Sequence, residues 1–487
     1  MQHIKTDIAI IAAGPAGLAA AITGAELGME VTVFEKASSA GGTANMGMGP
    51  FGVESRIQKQ YMIGLTKEEA FEEFMDYTHW KVDAHLVHDY FWKSGETIDW
   101  LEDMGVEFDV PQKYYPGSEA TWHVVKPLGG GTPGPRSASA MIKVMHDRAE
   151  ELGVNFYFNT PVKRILAEDG TVTGLEAENS EGETILAEAK AVIIATGGFG
   201  NNPEMIRAFT GYEYGENIFN FRIPGIDGDG LKMAWEAGAA KGHMEMEMTL
   251  GCKIPGDGTF MGMSLFRQAR TLIVNKKGDR VMNEAIMENN AVAKNVADRQ
   301  IDKSLYVIIT DKIVRYFRKN GMDFASGVFR TDPTENFEEA AVSMEEQYPD
   351  TMFSGDSLEE LAEKAGIPVE RLEDTVDEYN ESCDLNYDDL FCKPRKYLQP
   401  IEGKKYYALR MSLGAYGSLG GIIADHRCSV LDENRDPIPG LYAAGSDICD
   451  LYAGTYLYAL PGNTMGFAVN SGRIAAESAV DDIEEAE

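Results

Sequence analysis

Asp7-Ile-Ala-Ile-Ile-Ala-Ala13 runs directly into Gly14-Pro-Ala-Gly17, and that junction decides the fold. The apolar run after Asp7 predicts a parallel strand buried on both faces. The glycines turn it into an Ala- and Leu-rich helix that ends near Gly28, a residue suited to a helix C-terminus. Val31-Thr-Val-Phe34 is the second strand, and Glu35 stands at its end. Together these make one βαβ unit. In a dinucleotide fingerprint, G-x-G-x-x-G, the second glycine lets backbone reach a pyrophosphate and the third lets the helix pack on the strand. Gly14 and Gly17 fill those two places, while Ala12 stands where the first glycine is expected. Glu35 follows Gly14 by about 20 residues, where a carboxylate accepts from a ribose hydroxyl.

Outward from this unit, Ala191–Ala195 and Leu305–Ile309 read as further strands. Residues 66–105 read as helices, and four of the five Trp (80, 92, 100, 122) lie in or just beyond them. A Gly/Pro-rich loop, Pro127 to Pro135, cannot be regular helix. Ser357-Leu-Glu-Glu360 has capping-box spacing, Gly366-Ile-Pro368 ends that helix, and Leu372, Val376 and Tyr379 mark a second one. The last ninety or so residues return to glycine-rich strand–turn–helix character. The chain thus leaves a nucleotide-binding domain and comes back to it. The acidic segment 481–487 is expected to fray.

Lys and Arg number 44 against 78 Asp and Glu, a formal charge of −34. Such a surface repels phosphates, which excludes nucleic-acid and anionic-membrane partners. The five Cys (252, 383, 392, 428, 449) show no CxxC spacing, which argues against a disulfide framework, zinc, attached haem or an iron–sulfur cluster; no metal is expected. His85 and His88 lie three apart on a helix without an evident third ligand. The first apolar run is too short to span a membrane and lacks a cleavage pattern, so a cytoplasmic location is expected.

Further motifs separate flavin from nicotinamide. Glu35-Lys36 leads to Gly41-Gly42-Thr43, Ala195-Thr196-Gly197-Gly198 closes a strand, and Gly440-Leu-Tyr-Ala-Ala-Gly445-Ser-Asp447 follows near the end. Gly228-Asp229-Gly230, Asn275 to Glu284, Gly420-Gly421 and Pro461-Gly462-Asn463 complete the set. The chain resembles the FAD-binding flavoproteins of the fumarate reductase/succinate dehydrogenase superfamily over most of its length. The resemblance implies an α/β fold: a split Rossmann-type FAD-binding domain (1–239 and 396–487) with an inserted α+β cap domain (240–395). It implies FAD contacts from Ala13, Gly14, Ala16, Gly17, Lys36, Gly41, Gly42, Thr43, Ala195, Thr196, Gly197, Asp229 and Gly445. By position Glu35 holds the adenosine ribose, Val162 the adenine and Asp447 the ribityl chain. The backbone of Gly462, Asn463, Thr464 and Met465 faces the flavin pyrimidine. The FAD is expected to be non-covalent, because no His occurs between Gly41 and Gly49.

The departures from that family bear on substrate. Fumarate reductases grip a dicarboxylate with cationic and imidazole side chains. Their loop arginine is replaced by Ala459, their upstream histidine by Gly417, and their proton-donating cap arginine by Glu288, although Arg267 is retained. The loop Tyr458-Ala-Leu-Pro-Gly462 instead resembles that of 3-ketosteroid dehydrogenases, where a tyrosine hydroxyl and a glycine N–H bind a carbonyl oxygen. A hydrogen-bonded oxyanion site suits a neutral ketone or phenol. Tyr458 could equally be an aromatic wall, and Tyr416, Tyr452 and Tyr456 are further candidates. The aromatic 77–122 segment and Met-rich 244–263 are expected to line a greasy pocket.

The expectation is an FAD-dependent oxidoreductase that reduces an activated double bond, or a quinone-methide-like acceptor, in a small neutral aromatic or polycyclic substrate. Steroid enones, cinnamoyl compounds and isoflavonoids, as for a tetrahydrodaidzein reductase-like enzyme, all fit. Tyr458 and the Gly462 N–H hold the oxyanion, Arg267 supports the site, and a tyrosine or Glu288 with water supplies the proton. Alternatives are a 3-ketosteroid-type dehydrogenase passing electrons to an external acceptor, and a non-catalytic electron-transfer subunit. No second nucleotide fingerprint is present, so the electron donor is unidentified.

Overall fold

Ile8, Ala9, Ile10 and Ile11 are fully or nearly fully buried because their strand, Gln2–Ile11, has parallel neighbours on both sides. Ile10 lies opposite Val33 of Val31–Phe34 on one side and Ile193 of Thr184–Ile194 on the other. This is a computed structural model, and it describes residues 1–221, 223–252, 263–324 and 332–487. The parallel sheet continues outward to Asn155–Tyr157 at one edge and Pro437–Ala443 at the other, with Ser429–Leu431 antiparallel beyond it. A hairpin, Val162–Glu168 and Thr171–Glu178, is joined antiparallel to Thr184–Ile194.

The return of the chain is a matter of close packing. The final helix, Asn463–Ala486, lies against the first, Pro15–Glu26, at Gly472, where a Cβ would stand 2.2 Å from the Ala16 carbonyl oxygen. Residues 481–486 continue that helix instead of fraying, because Asp482 takes an ion pair from Arg427 and a hydrogen bond from the Tyr442 hydroxyl. Lys190 also pairs with Glu487.

A second sheet is built on the long strand Tyr406–Ile422. Met352–Gly355, Ser304–Thr310 and Lys241–Gly251 pair with it antiparallel, Ile218–Asn220 parallel, and Leu272–Val274 extends it. The expected strand at 305–309 and helices at 357–380 are present, the latter as Leu358–Ala365 and Val369–Leu385 around left-handed Gly366. Ser357 Oγ caps the first of these by accepting from the Glu360 N–H at 3.1 Å. The fold is α/β with a cap, as expected. The boundaries 1–239, 240–395 and 396–487 remain our proposal for how the chain divides. The second sheet also draws in Ile218–Asn220 and Tyr406–Ile422, from outside the insert. Among the described residues, no helix is long and apolar enough to cross a membrane.

Candidate functional site

The nucleotide end of the site grows from the first strand. Ala12 takes the place of the first fingerprint glycine at φ +82°, a conformation that costs an alanine what it does not cost a glycine. Behind it Gly17 is required by packing: a Cβ there would stand 2.0 Å from the Ala12 oxygen. Gly14 is different in kind. A Cβ on it would meet nothing nearer than the Ala195 oxygen at 4.0 Å, and one on Gly42 nothing nearer than the Gly14 Cα at 3.9 Å. The Gly41 N–H donates to the Ala13 carbonyl at 2.9 Å, so two glycine turns present bare backbone across one groove, with exposed Gly42 and Thr43 on its rim. Such a cradle fits a pyrophosphate at a helix N-terminus. Ala16 is buried in that helix, against Gly445.

Glu35 is buried at the end of its strand, where its carboxylate accepts from the Ala13 and Ala37 N–H groups at 2.7 Å each. Those bonds leave lone pairs for ribose hydroxyls. The Thr160 N–H donates to the Glu35 carbonyl, which brings buried Val162 to the same end of the sheet. Lys36 pairs with Asp227 at 3.2 Å and Asp229 at 2.6 Å, so both predicted contacts are placed there as an ion pair.

Asp447 and Asn463 are held by hydrogen bonds within the protein. Neither has exposed surface. Asp447 accepts from the N–H groups of Thr196, Gly197 and Gly198 and from the Thr196 hydroxyl, so it shapes the Ala195–Gly198 turn. Burial raises its pKa against the pull of those bonds. Asn463 accepts from the Tyr452 hydroxyl at 2.9 Å, and its amide reaches the Leu460 carbonyl. Both hold neighbouring backbone in place, Asp447 the 196–198 turn and Asn463 the segment that leads into the last helix. Met465 packs against Gly47, tying the first turn of the last helix to the glycine loop.

The other end of the groove is aromatic. Gly462 sits at φ +88° in a space that admits no side chain, since a Cβ would come within 2.8 Å of Pro50, Phe51 and Trp122. The Phe51 N–H donates to the Gly462 carbonyl, the Thr121 hydroxyl to that of Pro461, and the Glu119 N–H to that of Ala459. This clamp presents Tyr458, stacked on Tyr114 with centroids 4.3 Å apart and edge-on to Tyr456 at 5.0 Å. Ala459, buried in this clamp, brings no charge here. A separate concavity of about 430 Å³, lined by Tyr61, Val110, Gln112 and Tyr115, opens beside the same segment, and none of the glycine loops lines it.

Tyr458 is placed as a wall and carries a hydroxyl free to donate. Its Oη is buried beside the Thr249 and Tyr416 hydroxyls, and neither it nor Thr249 Oγ1 has a well-aligned hydrogen-bond partner among the described residues. Burial first, with Tyr416 and Tyr114 nearby, pushes its pKa well above the ordinary value, so it stays a protonated donor. Arg267 lies beyond Tyr416: Nη2 donates to the Leu250 carbonyl at 2.8 Å, Nη1 reaches the Asn290 amide, and Nε is buried without a partner among the described residues. The neighbouring Tyr458 and Thr249 hydroxyls stand where a ligand oxygen would satisfy them. Tyr452 and Tyr456, by contrast, have their hydroxyls engaged with Asn463 and Thr464.

Glu288 does not join them. Its Oε1 accepts from the Gly117 N–H at 3.2 Å, beside Tyr115, whose pKa is pushed up to about 12 by burial and then by this carboxylate. The acid that does reach the site is Glu247. Its Oε1 accepts from the Thr464 hydroxyl at 2.8 Å, and burial pushes its pKa up to about 7. The sequence holds the signal in Met244-Glu-Met-Glu-Met248, a period-two alternation that places the two acids on one strand face. Within residues 244–263, Met244, Met246 and Met248 are buried on the opposite face of the strand from these acids. The remainder of that stretch, 253–262, lies outside the described residues.

The sequence profile of the FAD binding domain family matches residues 7–465. A vinyl phenol reductase of Lactiplantibacillus plantarum is 32% identical over 490 residues, covering 97% of this chain and 96% of that protein. A fumarate reductase (cytochrome) of Shewanella frigidimarina is 28% identical, covering 98% of this chain and 77% of that one. A solved 3-ketosteroid-Δ4-(5α)-dehydrogenase of Rhodococcus jostii shares the fold at TM-score 0.75 and 23% identity, over 98% of this chain and 97% of its own. With the cradle that fits a dinucleotide, these relationships establish the cofactor as FAD. The chain belongs to the FAD binding domain family and is an FAD-dependent oxidoreductase acting on carbon–carbon double bonds.

Proposed function

We propose that this oxidoreductase reduces the vinyl group of a small neutral phenol of the 4-vinylphenol class. The observation that carries the reading is the pair of neighbouring buried hydroxyls, Tyr458 Oη and Thr249 Oγ1, without other partners among the described residues and beside the Tyr114–Tyr458 stack. A phenolic or carbonyl oxygen satisfies both, and the ring packs on the aromatic wall. The similarity to a vinyl phenol reductase over nearly the whole of both chains supports the same class.

Bound FAD supplies the electron pair to one carbon of the double bond. The substrate binds as its phenolate, held by the Tyr458 and Thr249 hydroxyls with the positive charge of Arg267 beyond Tyr416; protonation of the terminal carbon draws that charge into the ring as a quinone methide, and the electron pair entering at the benzylic carbon returns it to the oxygen. Glu247, protonated up to about pH 7, gives its proton to the other carbon, so a C–H bond forms at each end and the double bond becomes single. Tyr456 and Thr464 orient that carboxyl. We assign the proton to Glu247 and not to Glu288.

The test is anaerobic reoxidation of the chemically reduced enzyme with three acceptors. 4-Vinylphenol should restore the oxidised flavin spectrum and yield 4-ethylphenol. Faster reoxidation by a steroid enone would move the substrate to the ketosteroid class, and by fumarate would overturn the neutral-substrate reading.

A further inference from the structure

We propose that His243, Glu245 and Glu247 form a proton path that runs from solvent along one face of the Lys241–Gly251 strand to the reacting carbon. The inference rests on Glu247 being the acid of the proposed reaction. The alternation of the strand puts Glu245 and Glu247 on the same face, about 7 Å apart at Cα, a gap that two glutamate side chains or one water bridges. His243 lies where the strand's pairing shifts register, between Gly420 and Ile422, and the irregularity re-aims it. Its side chain is 67% exposed, and Nε2 comes within 3.8 Å of Glu245 Oε2. The Glu245 side chain is only 13% exposed, and its Oε2 is buried without a hydrogen-bond partner among the described residues.

Several charged groups face this path. Lys294, from the Asn290–Asp298 helix, lies near Glu245 but gives its Nζ to the Gly454 carbonyl at 2.9 Å, and Asp450 opposes it with negative charge. Glu247 faces Tyr456 and Thr464, with Tyr416 and Tyr452 beyond. Burial pushes both carboxyls up to about 7, so each gains and loses a proton at little cost near neutral pH. Each step moves one proton: the O–H of Glu247 breaks as the substrate C–H forms, Glu245 reprotonates Glu247, and Glu245 is refilled through His243 from water. No electron moves along the path.

The experiment mixes reduced, FAD-loaded enzyme with 4-vinylphenol under argon, in water and in deuterium oxide. Glu245→Gln should slow repeated turnover at least about tenfold, raise the solvent isotope effect and leave substrate affinity unchanged. Glu245→Asp should restore part of the rate, and His243→Ala should show a smaller loss reversed by added imidazole. Wild-type turnover and isotope effect in Glu245→Gln would overturn the path. A second measurement needs no substrate: infrared difference titration of the oxidised holoenzyme. Two carboxyls should titrate as a coupled pair near neutral pH, and Glu245→Gln should remove one and shift the other. Coupled titration with no turnover of 4-vinylphenol by the wild type would fault the substrate and uphold the path. Independent titration would overturn the path whatever the substrate.

Discussion

The Thr464 hydroxyl donates to Glu247 Oε1 at 2.8 Å, and this one bond joins the second sheet to the first turn of the helix that closes the FAD domain. The proton source and the cofactor end of the site are therefore fixed relative to each other by side chains from both layers. Thr464→Val should leave FAD content intact and lower the rate about tenfold by loosening the carboxyl. Unchanged single-turnover rates would show that Glu247 is positioned by other means.

Tyr458→Phe separates wall from donor. The ring stack on Tyr114 survives, and the lost hydroxyl has no well-aligned partner among the described residues, so stability should change by no more than about 0.5 kcal/mol. The turnover rate should fall about 10²- to 10³-fold, the usual cost of one oxyanion donor. Thermal melts and stopped-flow reoxidation read the two effects apart, and full activity in the variant would make Tyr458 a wall only.

The pH dependence has a definite sign. Glu247 must be protonated to act, so the rate should fall as pH rises through about 7, and Glu247→Gln should abolish both the arm and most of the rate. Stability follows the same groups. Both carboxyls are raised from 4.5 to about 7, so the folded protein holds more protons than the unfolded chain between those values. Their contribution is fully present below about pH 4.5 and is lost as pH climbs through 7. Glu245→Gln should accordingly gain stability over the wild type at pH 8 and show no gain at pH 4, measured by denaturant midpoint.

Glycines of the first loop should respond in opposite ways. Gly14→Val projects into the open groove, so the protein should fold and lose its yellow colour. Gly17→Ala drives a Cβ to within 2.0 Å of backbone oxygen and should cost about 3 kcal/mol or prevent folding. Equal loss of flavin and of fold in both would contradict the distinction.

Ala12→Gly runs the other way. Its φ of +82° is one that glycine adopts freely, so the substitution should raise stability by about 1 kcal/mol, less the added freedom of the unfolded chain. A lower melting temperature would mean that the methyl group contributes more than the strain costs.

The cofactor domain was legible because its rules are local. The apolar run at 8–13, the glycines after it and Glu35 each state a requirement within a few residues, and the structure places them together. Asp447 shows the limit: its motif was visible, but its role as an anchor of the 196–198 turn depends on backbone some 250 residues away. Tyr458 could be named but not resolved into wall or donor, because only packing reveals that its hydroxyl lacks a well-aligned partner among the described residues. Glu247 was hidden for a similar reason. A Glu between methionines reads as the solvated side of a strand until Thr464 and Tyr456 arrive to cover it. The acidic tail was misjudged because Arg427 and Tyr442, which hold it, are remote in sequence.

The alternation of Met and Glu along Lys241–Gly251 has a consequence for how preparations are assayed. A slip of one residue in its pairing with Tyr406–Ile422 would turn the methionines toward the substrate and the glutamates into the core. The glycine cradle belongs to the other sheet and would be untouched. Such a molecule would be yellow and inert, so absorbance at the flavin band would overcount working enzyme, and active-site titration is the proper measure of its concentration.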